Sequence, residues 1–179
     1  SFVAKILTNP IIGFLISKFY NDLLPFKGLK IYTNSDLIMN KTKAQIFWHI
    51  YEGAEIKFIH KYFPSGFDTI ELGSSIGVVS SFISSKMSKD NKLICVEAFP
   101  DLCDLTIKNL QLNAAYDNSK VFNLAINYSD KNENIFFSPG SSNTTGSIST
   151  NKINKNSINI SKTSLSKIKD NNYIREYIL

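Results

Sequence analysis

Phe67-Asp68-Thr69-Ile70-Glu71-Leu72-Gly73-Ser74-Ser75-Ile76-Gly77 runs from a strand into a turn bounded by two glycines, and the segment after it changes period. Residues 67–72 suit a short buried strand, whereas 78–87 place Val78, Val79, Phe82, Ile83 and Met87 at the spacing of a helix packed on a sheet. Glycine suits both ends of such a turn because it reaches positive φ freely and leaves the backbone open to close approach.

The same order then recurs. A polar loop at 88–91 precedes Lys92-Leu93-Ile94-Cys95-Val96-Glu97, a nearly continuous apolar strand. Residues 100–115 read as a second helix, with Pro100 near its first turn, where a missing N–H costs little. A third strand is expected over 120–126. Strands of this kind alternating with helices argue for an α/β fold, a Rossmann-like parallel sheet with helices on its faces.

Upstream, 43–62 reads as one helix, carrying Ile46, Phe47, Ile50, Ala54, Phe58 and Ile59 and stopped by Pro64-Ser65-Gly66. A short strand is expected over 29–33. Downstream, 133–138 looks like a strand with a hairpin partner at 147–149 across a polar turn, 140–146. The stretch 151–159 reads as a loop, Ile158 and Ile160 as a short strand, 164–168 as a short helix and 173–179 as the start of another strand. The chain divides into an N-terminal helical segment, 1–45, and a partial cofactor-binding domain, 46–179.

Bulk properties narrow the classes. With 179 residues the chain can build one self-sufficient core. The balance of 20 Lys and Arg against 15 Asp and Glu gives +5, but the excess gathers at Lys152, Lys155, Lys162, Lys167 and Lys169, a pattern read as a solvated segment rather than a nucleic-acid surface. Cys95 and Cys103 are too few for a disulfide framework or a zinc site, so a reducing cytoplasm is the expected location and no metal is expected. Residues 1–24 are rich in apolar side chains, yet Pro10, Gly13, Lys5 and Lys18 leave no run near the roughly 20 residues a spanning helix needs. A helix packed on the domain or on a partner chain is expected there, with peripheral membrane contact as the alternative.

The chemistry-bearing residues cluster at strand ends. The turn has the spacing G-x-x-x-G, which does not meet the dinucleotide fingerprint G-x-G-x-x-G. Glu97 closes the second strand, where a carboxylate can accept hydrogen bonds from both ribose hydroxyls, and Phe99 can lie against an adenine ring. Read singly, Glu97 is an exposed strand-end charge and Phe99 a core aromatic. Read together with the glycine turn, they suit a nucleoside.

These stretches, with Val96-Glu97-Ala98-Phe99-Pro100, Asn109-Leu110-Gln111-Leu112-Asn113 and Leu124-Ala125-Ile126, resemble in order and spacing the front half of a class I methyltransferase, and in detail the FkbM family. Looser similarity continues through Asn143, Gly146 and Lys162-Thr163-Ser164-Leu165, and upstream through Tyr51-Glu52, so the likeness covers 46–179. It implies S-adenosylmethionine as cofactor, with Glu71, Gly73, Ser74, Ser75, Ile76 and Gly77 holding its methionine portion. Glu97 would hold the ribose, Ala98 and Phe99 would line the adenine pocket, and Ala125 would stand beside the adenine. Glu71 and Ser74-Ser75 depart from the aspartate and alanine-asparagine pair more usual in the family.

The resemblance further implies O-methylation of a sugar, glycan or small-metabolite hydroxyl. His60 is a candidate base by residue type alone, so no catalytic residue is assigned. The absence of an Asn-Pro-Pro-Tyr-like motif argues against amino methylation of DNA. The family's next strand would begin where Leu179 ends, so 177–179 is expected against the strand ending at Leu72, or a second copy of the chain covers that edge as a homodimer. The rival reading is a catalytically silent Rossmann-like module that binds a nucleoside or a partner protein.

Overall fold

The computed structural model describes residues 2–115, 117–127, 135–140, 146–151, 155–172 and 177–178. Helices α1 (Phe2–Leu7) and α2 (Pro10–Phe19) lead into a hairpin of β1 (Leu23–Phe26) and β2 (Leu29–Tyr32), followed by α3 (Asn40–Phe47) and α4 (Gly53–Tyr62). The central unit is β3 (Asp68–Leu72), α5 (Val78–Ser84), β4 (Leu93–Glu97), α6 (Pro100–Leu112) and β5 (Ser119–Asn123). Then come β6 (Ala125–Ile126), β7 (Ile135–Pro139), β8 (Gly146–Ser149), β9 (Ile158–Ile160), β10 (Lys162–Thr163), α7 (Leu165–Asn171) and β11 (Tyr177–Ile178).

The main sheet has the order β11-β3-β4-β5, and each neighbouring pair is parallel. Strand β4, in the interior, is buried at every position, which is why its sequence is a continuous apolar run rather than an alternation. Its side chains divide between the two faces with a period of two. Leu93 and Cys95 join the larger core with Phe82, Leu102 and Leu110, while Ile94 and Val96 meet Ile70 and Ile168 on the face covered by α7. Tyr177 pairs with Asp68 and Ile178 with Thr69, so the end of the described chain lies beside β3, as expected for that segment.

The hairpin is fixed to the central unit by two asparagines one helical turn apart, Asn109 on α6 and Asn113 at its C-cap. Asn109 accepts from the Tyr32 N–H at 2.7 Å and donates to the Ile76 carbonyl at 2.7 Å. Asn113 accepts from the Lys30 N–H at 3.0 Å and donates to its carbonyl at 2.8 Å. Their amides satisfy β2 much as a neighbouring strand would. Leu24, Phe26 and Ile31 of the hairpin belong to the same hydrophobic cluster as Leu93 and Leu110, so the core is continuous across residue 45.

Several sequence expectations are corrected. The helix expected over 43–62 is two helices, because His49 and Glu52 adopt left-handed backbone with φ of 56° and 45°. The run from Ile46 to Tyr51 is β-branched or aromatic at nearly every position, a composition that holds a helix weakly, and Gly53 restarts it. The N-terminal helix is also two pieces, since Asn9 accepts from the Ile11 N–H at 2.8 Å and caps α2 ahead of Pro10. The third strand ends at Asn123, and Ala125 and Ile126 pair instead with Lys162 and Thr163 in a separate two-stranded sheet. The strand expected over 29–33 has an antiparallel partner, β1, across a turn of Lys27 and Gly28 with φ of 49° and 88°.

The hairpin β7–β8 follows the expected pairing, with β9 added on the other edge of β7. Expectations for 133–134, the turn residues 141–145 including Asn143, Lys152, 173–176 and Leu179 lie outside the described residues.

Candidate functional site

The candidate site forms where β3 and β4 end side by side. Gly73 and Ser74 donate to the Val96 carbonyl at 2.8 and 3.3 Å, which folds the turn over the end of β4. Helix α6 grips the turn from below: Thr106 donates to the Ser75 carbonyl at 2.9 Å, and the Ser74 and Thr106 hydroxyls lie 3.2 Å apart. The two glycines do different work. At Gly77, φ 77°, a Cβ would come within 2.7 Å of the Thr106 Cα, so that position serves close packing. At Gly73, φ 84°, a Cβ would meet nothing within 4 Å, so that backbone faces open space.

Glu97 closes β4 with only 7% of its surface exposed. One carboxylate oxygen accepts from the Ser75 N–H at 2.8 Å and the other from the Phe99 N–H at 2.9 Å. A carboxylate has about four lone-pair positions, so these bonds orient the group and leave acceptor capacity. Glu97 is thus a buried, doubly bonded carboxylate rather than an exposed strand-end charge.

Glu71, on β3, accepts from the Ser80 hydroxyl at 2.5 Å and from the Cys95 thiol at 3.4 Å. Burial pushes its carboxyl up to about 7, against the opposing pull of those two hydrogen bonds, and the negative charges of Glu55 and Glu97 push the same way. Burial also raises the Tyr51 phenol, as do Glu52, Glu71 and Glu55, while a hydrogen bond with Ser75 works against the rise. Glu55 is raised by burial and by Glu52. Tyr51, Glu52, Glu55, Glu71, Gly73 and Ser75 line a cleft of about 120 Å³. A phenol and three carboxylates around a small cleft suit a cationic group such as an ammonium or a sulfonium.

The other expected residues are placed differently. Ile76 is fully buried and can reach the cleft only through its backbone. Ala98 is half-buried, and its carbonyl accepts from the Asn123 amide at 2.9 Å. Phe99 is 7% exposed and stacks on Phe137 at 5.2 Å between ring centroids. Ala125 is buried in the main core, its N–H bonded to the Ser161 carbonyl. The structure therefore gathers Glu71, Gly73, Ser74, Ser75 and Glu97 around one turn, and turns Phe99 and Ala125 into the core.

Sequence reasoning left Tyr51, Glu52 and Glu55 without site roles. The break in the helix after Trp48, with His49 and Glu52 in left-handed backbone, carries Tyr51 and Glu52 to the cleft. His60 is exposed on α4 and does not line it. Both cysteines are buried free thiols, and burial pushes Cys103 up to about 12 and Cys95 well above its usual value, so neither supplies a thiolate.

A second cavity of about 530 Å³ lies at the opposite end of the sheet, beside Leu93, Ser88, Asn91 and Asn118. Its polar side chains bond mostly within the protein, as Asn91 does to Gly66 and Asn118 to Lys89. Open α/β sheets bind ligands outside the carboxyl ends of their strands, which favours the smaller cleft despite its size. No protein-family model matches this sequence, and no curated protein is significantly similar to it.

Proposed function

We propose that this chain binds S-adenosylmethionine at the carboxyl ends of β3 and β4 and serves methyl transfer to a hydroxyl of a sugar, glycan or small metabolite. The observation that carries this reading is the pairing of the open Gly73 backbone and acidic cleft on β3 with the buried Glu97 on β4. When bound, the cofactor would supply a methyl group already activated by a sulfonium. Glu71, Glu52 and Glu55 would face the positive end of the molecule, the turn 73–77 would let it approach the backbone, and Glu97 would accept from the ribose hydroxyls. Oxygen methylation of this kind asks the protein for orientation and a proton acceptor, not for a metal. Two buried reduced thiols accord with a cytoplasmic setting.

A second reading is favoured by the stacking of Phe99 on Phe137 and by a cleft smaller than the roughly 300–1,000 Å³ usual for whole ligands. In it the chain is a silent module that binds only part of such a ligand or a partner protein. Thermal unfolding with S-adenosylhomocysteine, methionine or adenosine separates the two. The methyltransferase reading expects the complete ligand to raise the melting temperature well above either fragment, because a ligand at about 100 times its Kd stabilises by about 2.7 kcal/mol. Equal shifts with adenosine alone would favour the silent module, and no shift with any of them would remove the site.

A further inference from the structure

Helix α2 is apolar on both faces. Towards the domain it buries Gly13 and Ser17 and half-buries Ile12 and Ile16, the latter against the main core, while Ile11, Phe14, Leu15 and Phe19 stand 69, 46, 60 and 82% exposed. A helix whose only task is to pack on the domain keeps its outward face polar. Here Gly13 and Ser17, four residues apart, let α2 approach α3 closely, and a Cβ on Gly13 would meet the Asn40 carbonyl oxygen at 1.7 Å. This small-residue seam leaves the opposite stripe, Ile11, Phe14 and Leu15, free of the fold at helical spacing.

The stripe continues into an aromatic row. Phe19 meets Tyr20 at 5.1 Å between ring centroids, Tyr20 meets Phe47 at 5.3 Å, and Phe47 meets Trp48 at 4.9 Å, with Trp48 41% exposed. The only charges in residues 1–21 are Lys5 and Lys18, and Lys18 lies over the Phe14 ring at 5.6 Å. The first acid, Asp22, is tied to Lys43 at 2.7 Å. No helix among the described residues is long and apolar enough to cross a membrane.

We propose that α2, with Phe19, Tyr20 and Trp48 at its end, docks the protein on an anionic membrane surface, lying in the plane of the headgroups. Exposed aliphatic and aromatic side chains enter the acyl boundary, tyrosine and tryptophan suit the headgroup level, and Lys5 and Lys18, in a segment free of acids, complement anionic lipid. The charge pattern selects lipid over a second copy of the chain. A two-fold contact through this stripe would bring together two copies of a segment whose charges are Lys5 and Lys18 and which holds no acid before Asp22.

The sole tryptophan, Trp48, reports directly on this contact. The intact protein is mixed with neutral phosphatidylcholine vesicles or with vesicles carrying about 30 mol% phosphatidylserine, and flotation and Trp48 emission are followed. The expected result is flotation and a blue shift with the anionic vesicles, with binding about tenfold weaker on neutral ones. Leu15→Gln and Phe19→Gln should abolish both signals while circular dichroism stays unchanged. A Lys18→Glu variant should lose the preference for phosphatidylserine. Absence of flotation, equal binding to neutral vesicles, or a concentration-dependent dimer that Leu15→Gln abolishes would each overturn the proposal.

Discussion

The Ser75 N–H donates to the Glu97 carboxylate at 2.8 Å, joining the glycine turn after β3 to the last residue of β4. The second oxygen of the same carboxylate holds the Phe99 N–H, so one buried side chain orders both strand-to-helix turns of the candidate site. Glu97 is therefore structural before any ligand arrives. Glu97→Ala should lower the unfolding free energy by about 2–4 kcal/mol, since two charge-assisted bonds are lost and two buried donors are stranded. Urea denaturation checks this, and an unchanged midpoint would mean the two turns hold without it.

The Asn109 side chain should matter as much as an apolar core residue. It is fully buried and bonds to both β2 and the glycine turn. Asn109→Leu should cost about 2–4 kcal/mol by leaving the Tyr32 N–H and the Ile76 carbonyl unpaired, measurable by thermal or chemical unfolding. Stability within about 0.5 kcal/mol of wild type would contradict the bracing role.

The two glycines of the turn should respond to different degrees. Gly77→Ala, at positive φ and 2.7 Å from the Thr106 Cα, should be strongly destabilising, by about 3 kcal/mol or more. Gly73→Ala has only its left-handed backbone to overcome, about 1–2 kcal/mol, because the space beyond is open. It should instead weaken ligand binding more than stability. Equal losses of stability at both positions would show that Gly73 does not face open space.

Glu71 sets a pH dependence. Its folded carboxyl, pushed up to about 7 from 4.5, binds a proton more tightly than in the unfolded chain. The folded state therefore holds more protons between those values, and stability falls as pH rises through that window, by on the order of 2–3 kcal/mol from this group. Glu71→Gln should flatten that slope and stabilise the protein above pH 7. Binding of a cation in the cleft should run the other way, strengthening as Glu71 ionises. Chemical denaturation from about pH 4 to 9 checks the first, and an identical slope in both proteins would contradict the assignment.

The central strands and the central turn were legible because each rests on local chemistry: a continuous apolar run marks a strand buried on both faces, as in β4, and glycines mark positive φ, as at Gly73 and Gly77. The division of 43–62 into two helices was not legible, because His49 and Glu52 adopt left-handed backbone without being glycine. The same limit hid Tyr51, Glu52 and Glu55, which reach the cleft only through that break. Phe99 satisfied the spacing of an aromatic beside a nucleoside. Its position in the core depends on Phe137, 38 residues later in a separate sheet, a contact that no local pattern encodes.

The central claim is that the paired strand ends hold one S-adenosyl ligand through Glu97, and calorimetric titration of the purified chain with S-adenosylhomocysteine tests it most directly. The account predicts one equivalent bound per chain, and an affinity lowered about tenfold to a hundredfold in Glu97→Ala under conditions where that variant is still folded, the equivalent of about 1.5–3 kcal/mol. No binding by the wild-type chain, or the same affinity in the folded Glu97→Ala variant, would contradict it.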